Sequence, residues 1–175
     1  MKEVFYEAFN ELNMGKDLVI ASVVRTKGST PQKPGAKLLV RNDGSGVGTL
    51  GGGCVEGDIW FAAKQLLDRR GNTQYRDYEL NEDIAAEDGL VCGGTMYFLI
   101  DPIYNPDDFV GLAAEINTAY DGGPSLAVAS LVKPAAGSDV SIGTKVVVRE
   151  DGSVEGSIGS PAVNIEAASK AKILM

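Results

Sequence analysis

The sequence predicts an α+β fold: a mixed, largely antiparallel sheet flanked by helices and built from an internal duplication. Three observations carry this. The segment beginning at Leu18 aligns without a gap on the segment beginning at Leu126, at a spacing of 108 residues. About a third of roughly fifty aligned positions are identical, more than low complexity produces over an ungapped run. Each copy runs from a helical pattern into apolar strands and back into a helix, the mixed order of an α+β domain. Both copies carry an Asp-Gly pair, Asp43-Gly44 and Asp151-Gly152, between strand patterns, a signature of antiparallel hairpins.

The elements follow in order. A helix is predicted over Val4–Asn13, with its counterpart over Asp108–Tyr120, each followed by a glycine, Gly15 or Gly123. Near-continuous apolar runs, Leu18–Arg25 and Leu126–Lys133, read as buried strands. Second strands follow at Lys37–Arg41 and Lys145–Arg149, then the hairpin turn, a short strand and a Gly-rich corner. Closing helices are expected over Val55–Asp68 and Ala162–Leu174. The first copy alone continues into strands near Gln74–Glu79 and Met96–Ile100, separated by the acidic stretch "NEDIAAEDGL". The duplicated strands are expected to pair side by side into one larger sheet. The division expected is 1–104 for the first copy and 105–175 for a second, degenerate copy in the same domain. The apolar ending "KAKILM" implies either a docked helix or a short form or piece of something longer.

Composition narrows the function. The chain has 175 residues, 16 basic and 24 acidic, with a net charge of -8 and no histidine. Phosphate-backbone recognition needs clustered Lys and Arg, and none run beyond a pair, so a nucleic-acid partner is not expected. The apolar runs Leu18–Val24 and Met96–Ile100 are too short to span a bilayer, and the N-terminus reads as a helix rather than a signal peptide. The expected location is the cytoplasm. Without histidine, Ser–His and Cys–His dyads and His-containing zinc sites are excluded. With Cys54 and Cys92 as the only cysteines, a four-thiolate site within one chain is excluded as well.

The two copies differ most at one corner. Gly52-Gly53-Cys54-Val55-Glu56 becomes Ser160-Pro161-Ala162-Val163-Asn164, and "RTKGSTPQKPGAK" becomes "KPAAGSDVSIGTK". Glycines at a helix N-terminus offer bare N–H groups and the positive end of the helix dipole to an anion. Gly51, Gly52 and Gly53 allow close approach by a flat ligand. Cys54 falls where the field of the terminus favours thiolate, and Glu56 is placed to accept hydrogen bonds or cap the first turn. The preceding loop adds Ser29, Thr30, Lys33 and Lys37. Plainer roles stand beside these: a tight turn for the glycines, a small buried hydrophobe for Cys54, a cap for Glu56, and a bulge for Gly93-Gly94. Both cysteines adjoin glycine pairs, and the acidic stretch between them can return Cys92 near Cys54. The corner is neither a P-loop, since no G-K-[ST] follows, nor a dinucleotide fingerprint.

The blocks "VVRTKGSTPQKPGAKLLVRNDGSGVGTLGGGCVEGDI" and "GLVCGG" resemble the XdhC/CoxI family, accessory factors of xanthine dehydrogenase and related molybdenum hydroxylases. The resemblance spans roughly Leu18 to Asp101. It implies transient binding of the molybdenum cofactor, as molybdopterin or its dinucleotide form, and delivery of the sulfurated cofactor to an apo-molybdenum hydroxylase. A cysteine desulfurase is the implied sulfur donor. It points to Cys54, Glu56 and Cys92 as the acting residues, with Cys54 as sulfur carrier or metal ligand. The cofactor-binding candidates are Gly28, Ser29, Gly35, Lys37, Gly51, Gly52, Gly53, Cys54 and Glu56. Two departures stand out: no strand–GxGxxG–helix unit is present, so a Rossmann domain would come from a separate chain, and Gln32-Lys33 stand where the family tends to place arginine. Alternative roles are thiol-based sulfur transfer or redox chemistry by Cys54 and Cys92, and a non-catalytic interaction module. Exposed sheet edges permit a homodimer, though no motif demands one.

Overall fold

The computed structural model describes residues 1–80 and 93–175. They divide into two compact units, Met1–Ala113 and Ala114–Met175. In the first, α1 (Lys2–Asn13) leads to β1 (Leu18–Gly28), β2 (Lys37–Arg41), β3 (Gly46–Gly48), α2 (Gly53–Arg69), β4 (Gln74–Glu79) and β5 (Gly94–Ile103). A 3₁₀ turn at Pro106–Asp108 precedes α3 (Val110–Tyr120). The second unit carries β6 (Leu126–Ser130), β7 (Lys145–Arg149), β8 (Val154–Gly156) and α4 (Pro161–Leu174).

The strands form two sheets rather than one. The first is five-stranded, in the order β3-β2-β1-β5-β4, and the second is three-stranded, β6-β7-β8. Every pairing is antiparallel. The expected side-by-side pairing of duplicated strands fails because β1 has no free edge. One edge carries β2 and the other carries β5, from Leu18↔Ile103 to Gly28↔Gly94, with a register shift between Val23 and Arg25. The irregularity therefore lies in β1, not at Gly93-Gly94.

The alternation along β1 and β5 explains the first core. Val19, Ala21 and Val23 on β1 and Met96, Phe98 and Ile100 on β5 turn to one face and are buried. The apolar stripe of α2 (Val55, Ile59, Ala62, Ala63, Leu66) closes over them in a single cluster. Trp60, on the same helix, donates from Nε1 to the Gly44 carbonyl at 3.1 Å and so ties α2 to the β2–β3 turn. On α1, Glu7 and Glu11 accept from Arg41 at 2.7 Å and 3.1 Å. Burial opposes the Arg41 charge, but these carboxylates outweigh it and raise its pKa.

The second unit repeats this local pattern 108 residues on. Leu18↔Arg41 has its counterpart in Leu126↔Arg149, and Leu38↔Gly48 in Val146↔Gly156. Arg41 on Glu7 is matched by Arg149 on Glu115. Its helix ends differently from the docked form expected of "KAKILM": Ile173 and Leu174 are exposed.

Gly48 gives the clearest test of the β2–β3 approach. Its φ is +95°, and an added Cβ would lie 2.3 Å from the Lys37 carbonyl oxygen and 2.7 Å from Val4 Cγ2. Gly48→Ala is expected to destabilise the first unit by about 2–4 kcal/mol, from strain and backbone overlap. Urea unfolding followed by the fluorescence of Trp60 measures it, and a loss within experimental error would remove the close-approach argument.

Candidate functional site

The corner between β3 and α2 is built around one carboxylate oxygen. Glu56 Oε2 accepts from the Thr49 hydroxyl at 2.6 Å, the Leu50 N–H at 2.6 Å and the Gly52 N–H at 3.1 Å. The Gly51 N–H donates to Thr49 Oγ1 at 3.0 Å. Burial raises the Glu56 pKa, but the bonds from Thr49 and the corner N–H groups outweigh it, and the net shift is downward. Three successive left-handed backbones, Gly51 at +115°, Gly52 at +75° and Gly53 at +64°, turn the chain into α2. Only glycine adopts these at little cost.

This arrangement corrects one part of the anion-site expectation. The N–H groups of Leu50, Gly51 and Gly52 are not bare; the protein's own carboxylate and hydroxyl take them. What remains for an incoming acceptor is the first turn of α2 itself, whose leading N–H groups have no intrahelical partner. Gly52 and Gly53 do leave the approach open, since a Cβ on either would meet nothing within 4 Å.

Cys54 is exposed in that first turn. Val55 beside it is buried at 3% and Glu56 turns back to the corner, so the helical rotation fixes the thiol outward. A small-hydrophobe role for Cys54 is therefore excluded. Four residues on, Asp58 lies on the same helix face and takes a hydrogen bond from Tyr78 on β4. Burial, then this carboxylate and the nearby Cys54, hold the Tyr78 pKa above its ordinary value. Among the described residues, no three His, Cys, Asp or Glu side chains are grouped to hold a metal ion.

The other candidates fall into two places. Gly28 pairs with Gly94, where an added Cβ on Gly28 would lie 2.8 Å from the Gly93 oxygen and one on Gly94 only 2.4 Å from the Ser29 oxygen. Gly28 and Ser29 thus hug the start of β5 rather than the glycine corner. Pro31 makes the link: a Cβ on Gly51 would come within 2.8 Å of its ring. Gly35 and Lys37 lie at the base of the loop. Gly35 donates its N–H to the Val23 carbonyl, and Lys37 Nζ donates to Ser22 Oγ at 2.8 Å and sits over the Phe5 ring. Lys37 is committed to the scaffold. Cys92 lies outside the described residues.

Thr49, Pro31, Asp58 and Tyr78 escaped the sequence reading. Thr49 was legible: it sits seven residues before Glu56, and Ser157 keeps the hydroxyl seven residues before Asn164. The contact of Tyr78 with α2 needs the β4–β5 pairing, which no local pattern shows.

Residues 12–79 match the XdhC and CoxI family. This segment belongs to that family. It contains Thr49 and the whole Gly51–Glu56 corner. A relative from Bacillus subtilis (strain 168), described as a probable subunit of xanthine dehydrogenase, is 31% identical over 83 residues, 47% of this chain and 25% of that protein. Another from Escherichia coli (strain K12), named molybdenum cofactor insertion chaperone PaoD, is 34% identical over 88 residues, 50% of this chain and 27% of that protein. The chain therefore spans about a quarter of the length of these relatives. A solved structure described as a xanthine dehydrogenase from Bacillus halodurans is 22% identical, with a TM-score of 0.64 over 91% of this chain and 48% of that one. This last likeness establishes the mixed α+β fold. Among the described residues, no helix is long and apolar enough to cross a membrane.

The corner makes a pH-dependent prediction. A lowered folded pKa means that the Glu56 bonds stabilise fully above the unfolded value of about 4.3, and that this is lost as pH falls through the folded value. Glu56→Gln is expected to cost about 1–2 kcal/mol at pH 7. The gap to wild type should close in urea titrations taken from pH 7 toward pH 3. A gap that stays constant with pH would show that the ionised carboxylate is not its source.

Proposed function

We propose that this chain serves the maturation of a molybdenum hydroxylase by transiently binding the molybdenum cofactor, with Cys54 as the contact residue. The observation that carries the reading is an exposed thiol in the first turn of α2, beside two glycines whose Cβ positions are open space. The family membership of residues 12–79 and the name of the relative PaoD support the choice of ligand.

The residues fit such a group unevenly, and the fit assigns its ends. Cys54 Sγ would hold the metal end, since a thiolate suits a soft metal centre. The cofactor supplies the redox-active metal when bound; the chain supplies position. Gly52 and Gly53 admit the flat pterin, while Glu56 keeps the turn from closing over it. An anionic tail is disfavoured at Leu50–Gly52, where a carboxylate already takes the donors. Lys27 and Lys33, exposed on the strand and loop that carry Pro31 to Gly51, offer positive charge instead. The partners on this reading are the apo-hydroxylase and a cysteine desulfurase. A separate Rossmann-domain chain fits the same scheme.

Anaerobic titration of purified chain with molybdenum cofactor tests the proposal. Saturable binding is expected for wild type, weakened about tenfold or more in Cys54→Ala, a loss of at least about 1.4 kcal/mol. Retention of the cofactor by Cys54→Ala at wild-type affinity would overturn the role of the thiol. No binding by wild type would overturn the binding reading for this chain.

A further inference from the structure

We propose that the open edge of β6, together with the apolar face of α4, binds an added antiparallel β-strand with large apolar side chains at alternate positions. The first unit is the template. There β1 is paired on both edges, by β2 and β5, and α2 packs on β1, β2 and β5 together. In the second unit β6 pairs with β7 alone, and α4 packs on β6 and β7. At the same spacing of 108, the counterpart of β5 falls beyond residue 175.

The exposures show what that strand covers. Val55 is 3% exposed and its counterpart Val163 is 44%; Leu66 is 4% and Leu174 is 84%. Leu67 at 6% corresponds to Met175 at 40%, and Ile20 at 6% to Val128 at 38%. Ala63 and Ala171, which face the sheet directly, are buried at 0% and 5%, so α4 sits on its sheet as α2 does. The surplus apolar surface lies where β5 would be. The strand itself, "LAVAS", has none of the charges or prolines that usually guard an exposed edge.

The occupant follows from volume and from the donors. Under α2 the covering strand presents Met96, Phe98 and Ile100. A second copy pairing through its own β6 would bring Ala127 and Ala129 to the same face and leave the helix unfilled. Leu131 exchanges bonds with the β7 side, its N–H to the Thr144 carbonyl and its carbonyl from the Gly143 N–H. By antiparallel alternation, the N–H groups of Leu126, Val128 and Ser130 face the open edge. Strand addition uses such donors for affinity and the alternate side chains for specificity.

The test adds a synthetic peptide with the β5 sequence Gly94–Ile103 to the full chain and follows amide exchange by NMR. Saturable binding is expected, with slowed exchange at Leu126, Val128 and Ser130. Val128→Pro removes the central donor from the open edge, and Leu174→Glu charges the helix face at an already exposed position. Each is expected to weaken binding by about tenfold or more. Should Val128→Pro fail to fold, Leu174→Glu alone decides. Equal binding of a scrambled peptide, no binding, or protection confined to β1 would overturn the proposal. So would β6 protection that rises with protein concentration in the absence of peptide, which would assign the edge to a second copy.

Discussion

A single oxygen, Glu56 Oε2, holds the turn on which the arrangement of the thiol depends. It gathers a hydroxyl and two backbone N–H groups that would otherwise end β3 without acceptors. With these fixed, three glycines can stand in left-handed conformation without the corner collapsing into an ensemble. The start of α2 is then set to within a residue, and the helical rotation between successive side chains does the rest. Val55 enters the core, Glu56 returns to the turn and Cys54 points to solvent. The core beneath is equally specific, because α2 closes over β1 and β5 at once. The corner is therefore a rigid mount for a thiol rather than a flexible loop that carries one.

Much of this was legible in the sequence, for identifiable reasons. Hairpin chemistry at Asp43-Gly44 and Asp151-Gly152 is local, and the apolar runs at Leu18 and Leu126 are local too. The split into two sheets is not local. It turns on β5 reaching back across more than seventy residues to take the free edge of β1, and strand patterns carry no statement of which edge they take. The expectation of bare N–H groups at the corner failed for a different reason. Spacing puts Glu56 within reach of the turn but does not say that one oxygen accepts three bonds. Pro31 packing on Gly51, and Tyr78 meeting Asp58 across from Cys54, are likewise products of tertiary pairing.

The corresponding corner in the second unit shows what the carboxylate contributes beyond shape. Asn164 Oδ1 accepts from the Ile158 N–H at 2.9 Å, and its amide donates to Ser157 Oγ at 2.8 Å. These are the bonds of Leu50 and Thr49 to Glu56, made by a neutral group with the hydroxyl partner's direction reversed. An amide is thus sufficient to hold such a turn, and the distinctive property of Glu56 is its charge. The reason lies in how the two helices begin. α4 opens with Ser160 and Pro161, both favourable at a helix start. α2 opens with Gly52 and Gly53, has no side-chain cap at its first residue, and carries the entropy cost of bare glycine. An ionised carboxylate in the first turn offsets that cost through the helix dipole as well as through its bonds. The glycines keep the approach to Cys54 open, and the charge on Glu56 lets a helix begin there nonetheless. The open approach and the acid are one device, which is why both are absent where the cysteine has become Ala162.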